Sequence, residues 1–184
     1  MPRKYPQLTY SASVKALQTQ FGTRKTGEKM EAWEMDDEHL SAAELEFIAQ
    51  RDGFYMASCN EDGWPYVQFR GGPVGFLKAL DSSTLGFADF RGNRQYISTG
   101  NLVHNDRASL FFMDYANQRR LKLMARTRFA VPEQAPELLE LLEEADYPAR
   151  IERLVLFDVV AFDWNCPQHI TPRFSAAEWA ARED

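Results

Sequence analysis

Cysteine and histidine are scarce in this chain of 184 residues: two cysteines, Cys59 and Cys166, and three histidines, His39, His104 and His169. The cysteines lie far apart and outside any CxxC spacing, so neither a disulfide framework nor a thiolate metal site organises the chain. The expectation is two reduced thiols. The histidines are scattered, and no metal centre is expected. No apolar run approaches the ~20 residues of a membrane-spanning helix. The opening residues, MPRKYPQLTYSAS, lack the apolar core of a signal peptide, so a cytoplasmic location and no membrane partner are expected. A Walker loop, a GxGxxG fingerprint and a nucleophile elbow are all missing. Positive charge is also in deficit. The net charge of −6 argues against nucleic acid as a partner.

The charge that is present is uneven. Arg91 to Arg128 holds eight basic residues against Asp106 and Asp114, and Glu133 to Asp146 holds six acids and no base. A basic stretch in an acidic chain points to a small anionic ligand.

Periodicity supplies the elements. Val14, Leu17 and Phe21 share a face in a helix over 13–21 that Gly22 would end. Residues 22–40 read as a charged loop or arm, with Asp36, Asp37 and Glu38 a solvated run. Ser41 and Glu44 form a capping box for a helix to about Arg51, with Leu40 stapled onto Leu45. FYMASC and PYVQFR flank Asn60-Glu61-Asp62-Gly63 as a hairpin, and FLKAL and TLGFA flank Asp81-Ser82-Ser83 as a second. ASLFFM and RRLKLMARTRFAV add two strands. A helix over 136–145 would bury Leu138, Leu141, Leu142 and Ala145. LVLFDVVAFDW, apolar on both faces, suits a central strand or one buried between subunits, and a last helix spans 175–181. Strands without βα alternation predict a mainly β (α+β) fold: an antiparallel six- to seven-stranded barrel with peripheral helices. The domain reading is 1–40 as N-terminal helix and arm, 41–174 as the barrel, and 175–184 as tail.

The chemistry-bearing stretch is FADFRGNRQYISTGN. Asn93 reads as the N-cap of a helix over 95–103, and a helix start beside Arg94 is an anion site. Alternation puts Tyr66, Gln68 and Arg70 on one face of their strand, before Gly71-Gly72-Pro73. It also puts Arg120, Lys122, Met124, Arg126 and Arg128 on one face of theirs, opposite Leu121, Leu123, Ala125, Thr127 and Phe129. A barrel could gather these three basic elements around one anion. Each alone reads equally as a solvated face. Cys166 near His169 could be a redox thiol, although a semi-buried inert cysteine is the commoner case. No protein-borne catalytic constellation is present, which points to a cofactor as the carrier of chemistry.

The element order over about residues 40–173, with GFLKALD, GNRQYISTGNL, ASLFFMD, RRLKLMART and DWNCPQHITPR, resembles the pyridoxamine 5'-phosphate oxidase-like flavoproteins of the FMN-binding split-barrel fold. The resemblance implies FMN at a homodimer interface. It implies a phosphate held near Gln68, Arg70 and Gly71 and at the Gly92-Asn93-Arg94 turn. Arg120 and Lys122 would then approach the flavin, with Trp164 and Arg173 reaching in from the partner. This chain departs from the family where Gln68 replaces an arginine, where the turn keeps one base, and where the Arg-Leu-His substrate motif of the oxidases is absent. The resulting expectation is an FMN-dependent oxidoreductase acting on a small molecule. Three alternatives stay open: a non-catalytic flavin- or haem-binding redox module, a true pyridoxamine 5'-phosphate oxidase, and a deazaflavin in place of FMN.

Overall fold

The computed structural model describes residues 1–181. Seven strands form one antiparallel sheet: β1 (Gly53–Cys59), β2 (Pro65–Gly71), β3 (Lys78–Ala79), β4 (Thr84–Phe90), β5 (Arg107–Asp114), β6 (Arg119–Ala130) and β7 (Ile151–Trp164). Their order across the sheet is β2-β1-β5-β6-β7-β4-β3. This is the mainly antiparallel split barrel that the pattern of short strands and turns predicts. The first hairpin turns at Gly63, whose φ of +83° is open to glycine at little cost.

Alternation decides what faces inward. Phe54 and Met56 of β1, Leu110 and Phe112 of β5, Leu121 and Leu123 of β6, and Phe157 of β7 are all buried in one core. Phe54 lies within ring-contact distance of Phe76, Phe87, Phe112 and Phe157. Burying one such ring contributes about 1.5–3 kcal/mol. β7 is central, paired with β6 on one side and β4 on the other, so its two-sided apolar character has a cause. Its second face is covered by a helix, α6 (Pro136–Leu142), in a smaller cluster with Leu142, Leu154 and Leu156. That helix comes close because Gly86 has no side chain: a Cβ there would lie 3.0 Å from Leu156 and 3.1 Å from Leu142.

The helices depart from the sequence pattern in several places. α6 ends at Leu142, which is buried, with Leu138 and Leu139 half-buried against the same cluster and Leu141 exposed. Glu143 and Glu144 are poor company for a helix C-terminus, and Lys78 answers both, donating to the Glu143 carbonyl (3.0 Å) and pairing with Glu144 (3.0 Å). Three helices precede the barrel: α1 (Lys4–Thr9), α2 (Ala12–Gln20) and α3 (Arg24–Ala32). α2 matches expectation in its span, but Leu17 and Phe21 stay exposed. α3 falls in the segment read as an arm. There Arg24 binds Glu28 and Glu31, and Lys15 reaches Glu31 from α2, so ion pairs and not an apolar stripe hold it. The next helix, α4 (Ala42–Ala49), has the expected capping box at Ser41 and Glu44.

Asp37 is the largest surprise in this region. It is buried, not solvated, and accepts from the Lys4 and Tyr5 backbone N–H groups (2.8 and 2.9 Å). Arg3, buried beside it, pairs with Asp37 (3.5 Å) and Asp163 (2.6 Å). The N-terminal segment is thereby pinned to the end of β7.

Candidate functional site

The turn after β4 does not cap its helix as expected. Asn93 Oδ1 accepts from the Gln95 N–H (3.2 Å), which closes a local turn, and α5 begins later (Ile97–His104). The residue before it, Tyr96, is left-handed (φ 57°), and Arg94 is as well (φ 61°). Two non-glycine residues in that region cost about 1–3 kcal/mol each, and such strain clusters where function needs it. Among the described residues no side chain caps α5, so its first N–H groups keep their hydrogen-bonding capacity.

A cleft lies between this turn and the inner face of β2. Gln68, Arg70, Asn93 and Arg94 line it together, with Asp89, Tyr96, Ser98, Thr99, Glu152 and Arg153. Gln68 Oε1 accepts from the Ser98 hydroxyl (3.0 Å), which ties β2 to the start of α5. Arg153 donates to Asp89 (2.7 Å), Thr99 (3.0 Å) and Glu152 (3.2 Å). Arg70 reaches the other oxygen of Asp89 (3.3 Å), so one buried carboxylate holds two guanidiniums apart. Burial pushes the Asp89 carboxyl above its usual range, against the pull of Arg70 and Arg153. Arg94 Nε donates to the Tyr96 hydroxyl (3.3 Å), and Tyr96 in turn donates to Glu152 (3.3 Å). Arg91 stands outside the lining, paired with Glu152 at 3.7 Å.

Arginines therefore outnumber carboxylates on this wall, with Arg70, Arg94 and Arg153 facing Asp89 and Glu152. Arg70 Nε is buried and has no hydrogen-bond partner among the described residues. An orphaned guanidinium N–H, an uncapped helix start and the Thr99 hydroxyl, which accepts from Arg153 and keeps its own proton free, are what a phosphate monoester would satisfy.

The other residues singled out from the sequence lie elsewhere. Gly71 is at the end of β2, where the Phe69 ring fills the space its Cβ would take, and it does not line the cleft. Lys122 pairs with Asp163 (3.1 Å) and sits 4.7 Å above the Tyr5 ring. Trp164 donates to Glu44 (2.7 Å), packs edge-on against Phe47 and lies under Arg119. Arg120 and Arg173 share a separate cleft on the outer face of the sheet. A single chain thus gathers two of the three basic elements, and the β6 bases point away because inner and outer faces alternate. Cys166 is exposed rather than semi-buried. Among the described residues no cluster of histidine, cysteine and carboxylate could hold a metal ion.

Sequence reasoning missed Asp89 and Arg153. The signal was available in the register: Asp89 of β4 pairs directly with Arg153 of β7, one residue before the apolar run from which the strand was read.

These features define a class: a split barrel with an arginine-lined cleft at the junction of β2, β4 and a strained turn. The chain belongs to the pyridoxamine 5'-phosphate oxidase family, whose sequence profile matches residues 40–162. The barrel is similar to a crystal structure of a candidate pyridoxamine 5'-phosphate oxidase from Lactobacillus delbrueckii, with a TM-score of 0.54 at 15% identity over 70% of this chain and 97% of that one. HupZ from Group A Streptococcus is also similar, with a TM-score of 0.50 at 10% identity over 73% of this chain and 100% of that one. At such identities the likeness shows the fold alone. No curated protein is detectably similar in sequence.

Proposed function

We propose that this protein binds FMN, with the phosphate in the cleft of Arg70, Arg94 and the α5 start, and that it acts as an oxidoreductase on a small organic molecule. The observation that carries the reading is the buried, unpartnered Nε of Arg70 in a wall where arginines exceed carboxylates. Membership of the family supports flavin as the phosphate-bearing group. Bound flavin would supply hydride transfer, chemistry that no side-chain constellation among the described residues offers.

The protein's own part is binding and orientation. Arg70 and Arg94 supply charge, Thr99, which accepts from Arg153, supplies a hydroxyl donor, and Asp89 fixes Arg70 and Arg153 so that they lose little freedom when an anion arrives. WNCPQHITPR stands where the oxidases carry their Arg-Leu-His motif, so the substrate we propose is not pyridoxamine 5'-phosphate. A homodimer is part of the proposal, because one chain leaves Tyr55, Val67 and Phe69 uncovered on the outer face of β1 and β2.

Denaturing the purified protein and identifying the released cofactor by mass spectrometry is the direct test. FMN is the expected product, or else a visible flavin band on titration of the colourless protein with FMN. Released haem or deazaflavin, or failure to take up FMN, would sink the proposal. Flavin that neither a pyridine nucleotide nor oxygen can cycle would remove the oxidoreductase half of it.

A further inference from the structure

The start of the chain is basic although the whole is acidic. Met1 to Met30 holds six bases against Glu28 alone, in a protein of net charge −6. Arg3 and Lys4 anchor α1, and Lys15 and Arg24 pair within the hairpin of α2 and α3. Lys25 and Lys29 are left exposed, with no acidic partner among the described residues.

That hairpin has almost no core. No residue of α2 is buried, and in α3 only Gly27 is. Val14, Leu17 and Phe21 follow helical spacing along one side of α2, and Leu17 and Phe21 are 52% and 73% exposed. Each helix has nine residues, whereas isolated helices below ~12–15 residues are marginal in water. Exposed ion pairs add little to that. An open apolar face beside two free lysines fits a cover with an apolar centre and acidic flanks.

The chain itself carries such a surface. Glu137, Glu140 and Leu141 share the outward side of α6, and Leu141 is 59% exposed. Of the six acids from Glu133 to Asp146, Glu144 alone has a basic partner among the described residues, Lys78. The two surfaces do not pair within one chain: among the described residues no ion pair joins the N-terminal helices to α6. The N-terminal segment is fixed through Arg3 to Asp163 at the end of β7, whereas α6 packs on Leu154 and Leu156 near its start. Both surfaces are also remote from the open face of β1 and β2, since β5 and β6 stand between β1 and β7. Neither lines the arginine cleft.

We propose that the α2–α3 hairpin of one chain docks on α6 of a second copy, with Leu17 and Phe21 on Leu141 and with Lys25 and Lys29 on Glu137 and Glu140. These few side chains cover far less than the ~800 Å² per partner of a stable interface. The contact therefore reinforces association through the β1–β2 face and does not replace it. It requires no flavin.

Carbodiimide cross-linking of the full chain tests the contact, because it joins a lysine amine to a carboxylate only where the two touch. Equal amounts of ordinary and heavy-nitrogen protein are equilibrated until subunits exchange, then cross-linked and digested. Peptides joining Lys25 or Lys29 to Glu137 or Glu140 are expected as mixed-label pairs. Leu17→Asp should lower their yield at least about tenfold, since it sets an acid against an acidic surface. Lys25→Glu with Lys29→Glu should weaken association in sedimentation equilibrium by about tenfold. Adding Glu137→Lys and Glu140→Lys to the same chain should restore it. All four side chains are exposed, so the reversals leave the core intact. The proposal is overturned if these pairs are absent, if they are confined to one label, or if Leu17→Asp leaves their yield unchanged. A fourfold variant that associates no better than the double one overturns it as well.

Discussion

Arg70 and Arg94 approach the cleft from different elements and do different work. Arg70 is half-buried and oriented by Asp89, so it is pre-placed. Arg94 is exposed and, among the described residues, held by the Tyr96 hydroxyl. A charge-assisted hydrogen bond contributes about 1.5–3 kcal/mol, so Arg70→Ala and Arg94→Ala should each weaken FMN binding by about tenfold to a hundredfold. Flavin fluorescence quenching reads this directly. Arg91→Ala, outside the lining, should change it by no more than about twofold by weakening the local field. Equal losses at Arg91 and Arg94 would place the phosphate elsewhere.

Glu44 and Asp89 are a second pair of residues with opposite behaviour. Burial raises Glu44, but hydrogen bonds from Ser41 and the Trp164 indole outweigh it, and its carboxyl is held below its ordinary value of 4.5. Its contribution to stability is present above that pH and lost as pH falls through the lower folded value. Asp89 is raised by burial from 3.8, so its charge opposes folding above the folded value and this is relieved as pH falls toward 3.8. Urea midpoints measured along an acid series check the signs. The wild type loses ground against Glu44→Gln as pH falls and gains ground against Asp89→Asn. Slopes of the same sign in the two comparisons would refute the assignment.

At the scale of elements, what could be read from sequence followed the strength of local signals. Period-two alternation located β1, β2, β5 and β6 to within a residue or two, because each has one buried and one open face. Ser41 and Glu44 announced α4 because a capping box is a local device. The pairing of Gln68 and Arg70 with the Asn93-Arg94 turn was also legible, since β2 alternation and the basic turn are both local. The start of α5 was misread because Asn93 is a good cap in isolation, while its side chain here closes a turn two residues long. α1 and α3 were invisible for another reason. They are held by Asp37, Arg3, Glu31 and Arg24, and ion pairs across sequence distance leave no periodicity. Asp37 shows how much depends on such a group. It satisfies two N–H groups at the start of α1 and neutralises a buried guanidinium. Removing one partner of a buried ion pair costs about 3–5 kcal/mol. Asp37→Ala should lower the unfolding free energy read from urea titration by that order, while Asp36→Ala, exposed one residue earlier and capping only the Glu38 and His39 N–H groups, should cost about 1 kcal/mol or less. Similar effects for the two would mean that the N-terminal segment is not anchored as described.

For the whole molecule, the question is what covers the outer face of β1 and β2. Tyr55 and Phe69 lie directly opposite each other in the register and their rings touch at 5.4 Å, with Val67 two residues along the same face. Phe69 is 55% exposed and Val67 59%, on an edge strand whose alternation otherwise places polar side chains inward. This inverts the usual arrangement for a solvated sheet face, and adjacent exposed apolar residues on an open edge favour association. A stable interface needs about 800 Å² from each partner, more than these residues alone supply, so neighbouring β5 and the β1–β2 hairpin tip, with Trp64, must share in it. The prediction is a dimer by multi-angle light scattering. Phe69→Glu should convert it to monomer, because two desolvated carboxylates would face an apolar surface. FMN affinity separates a cosmetic dimer from a functional one. Arg70 and Phe69 are adjacent on β2 but point to opposite faces, so Phe69→Glu leaves the chain's own cleft intact. If the partner completes the cofactor site, the monomeric variant loses flavin along with its mate. If the monomer keeps full FMN affinity, the cleft of one chain suffices and the shared site implied by the family resemblance is wrong for this protein.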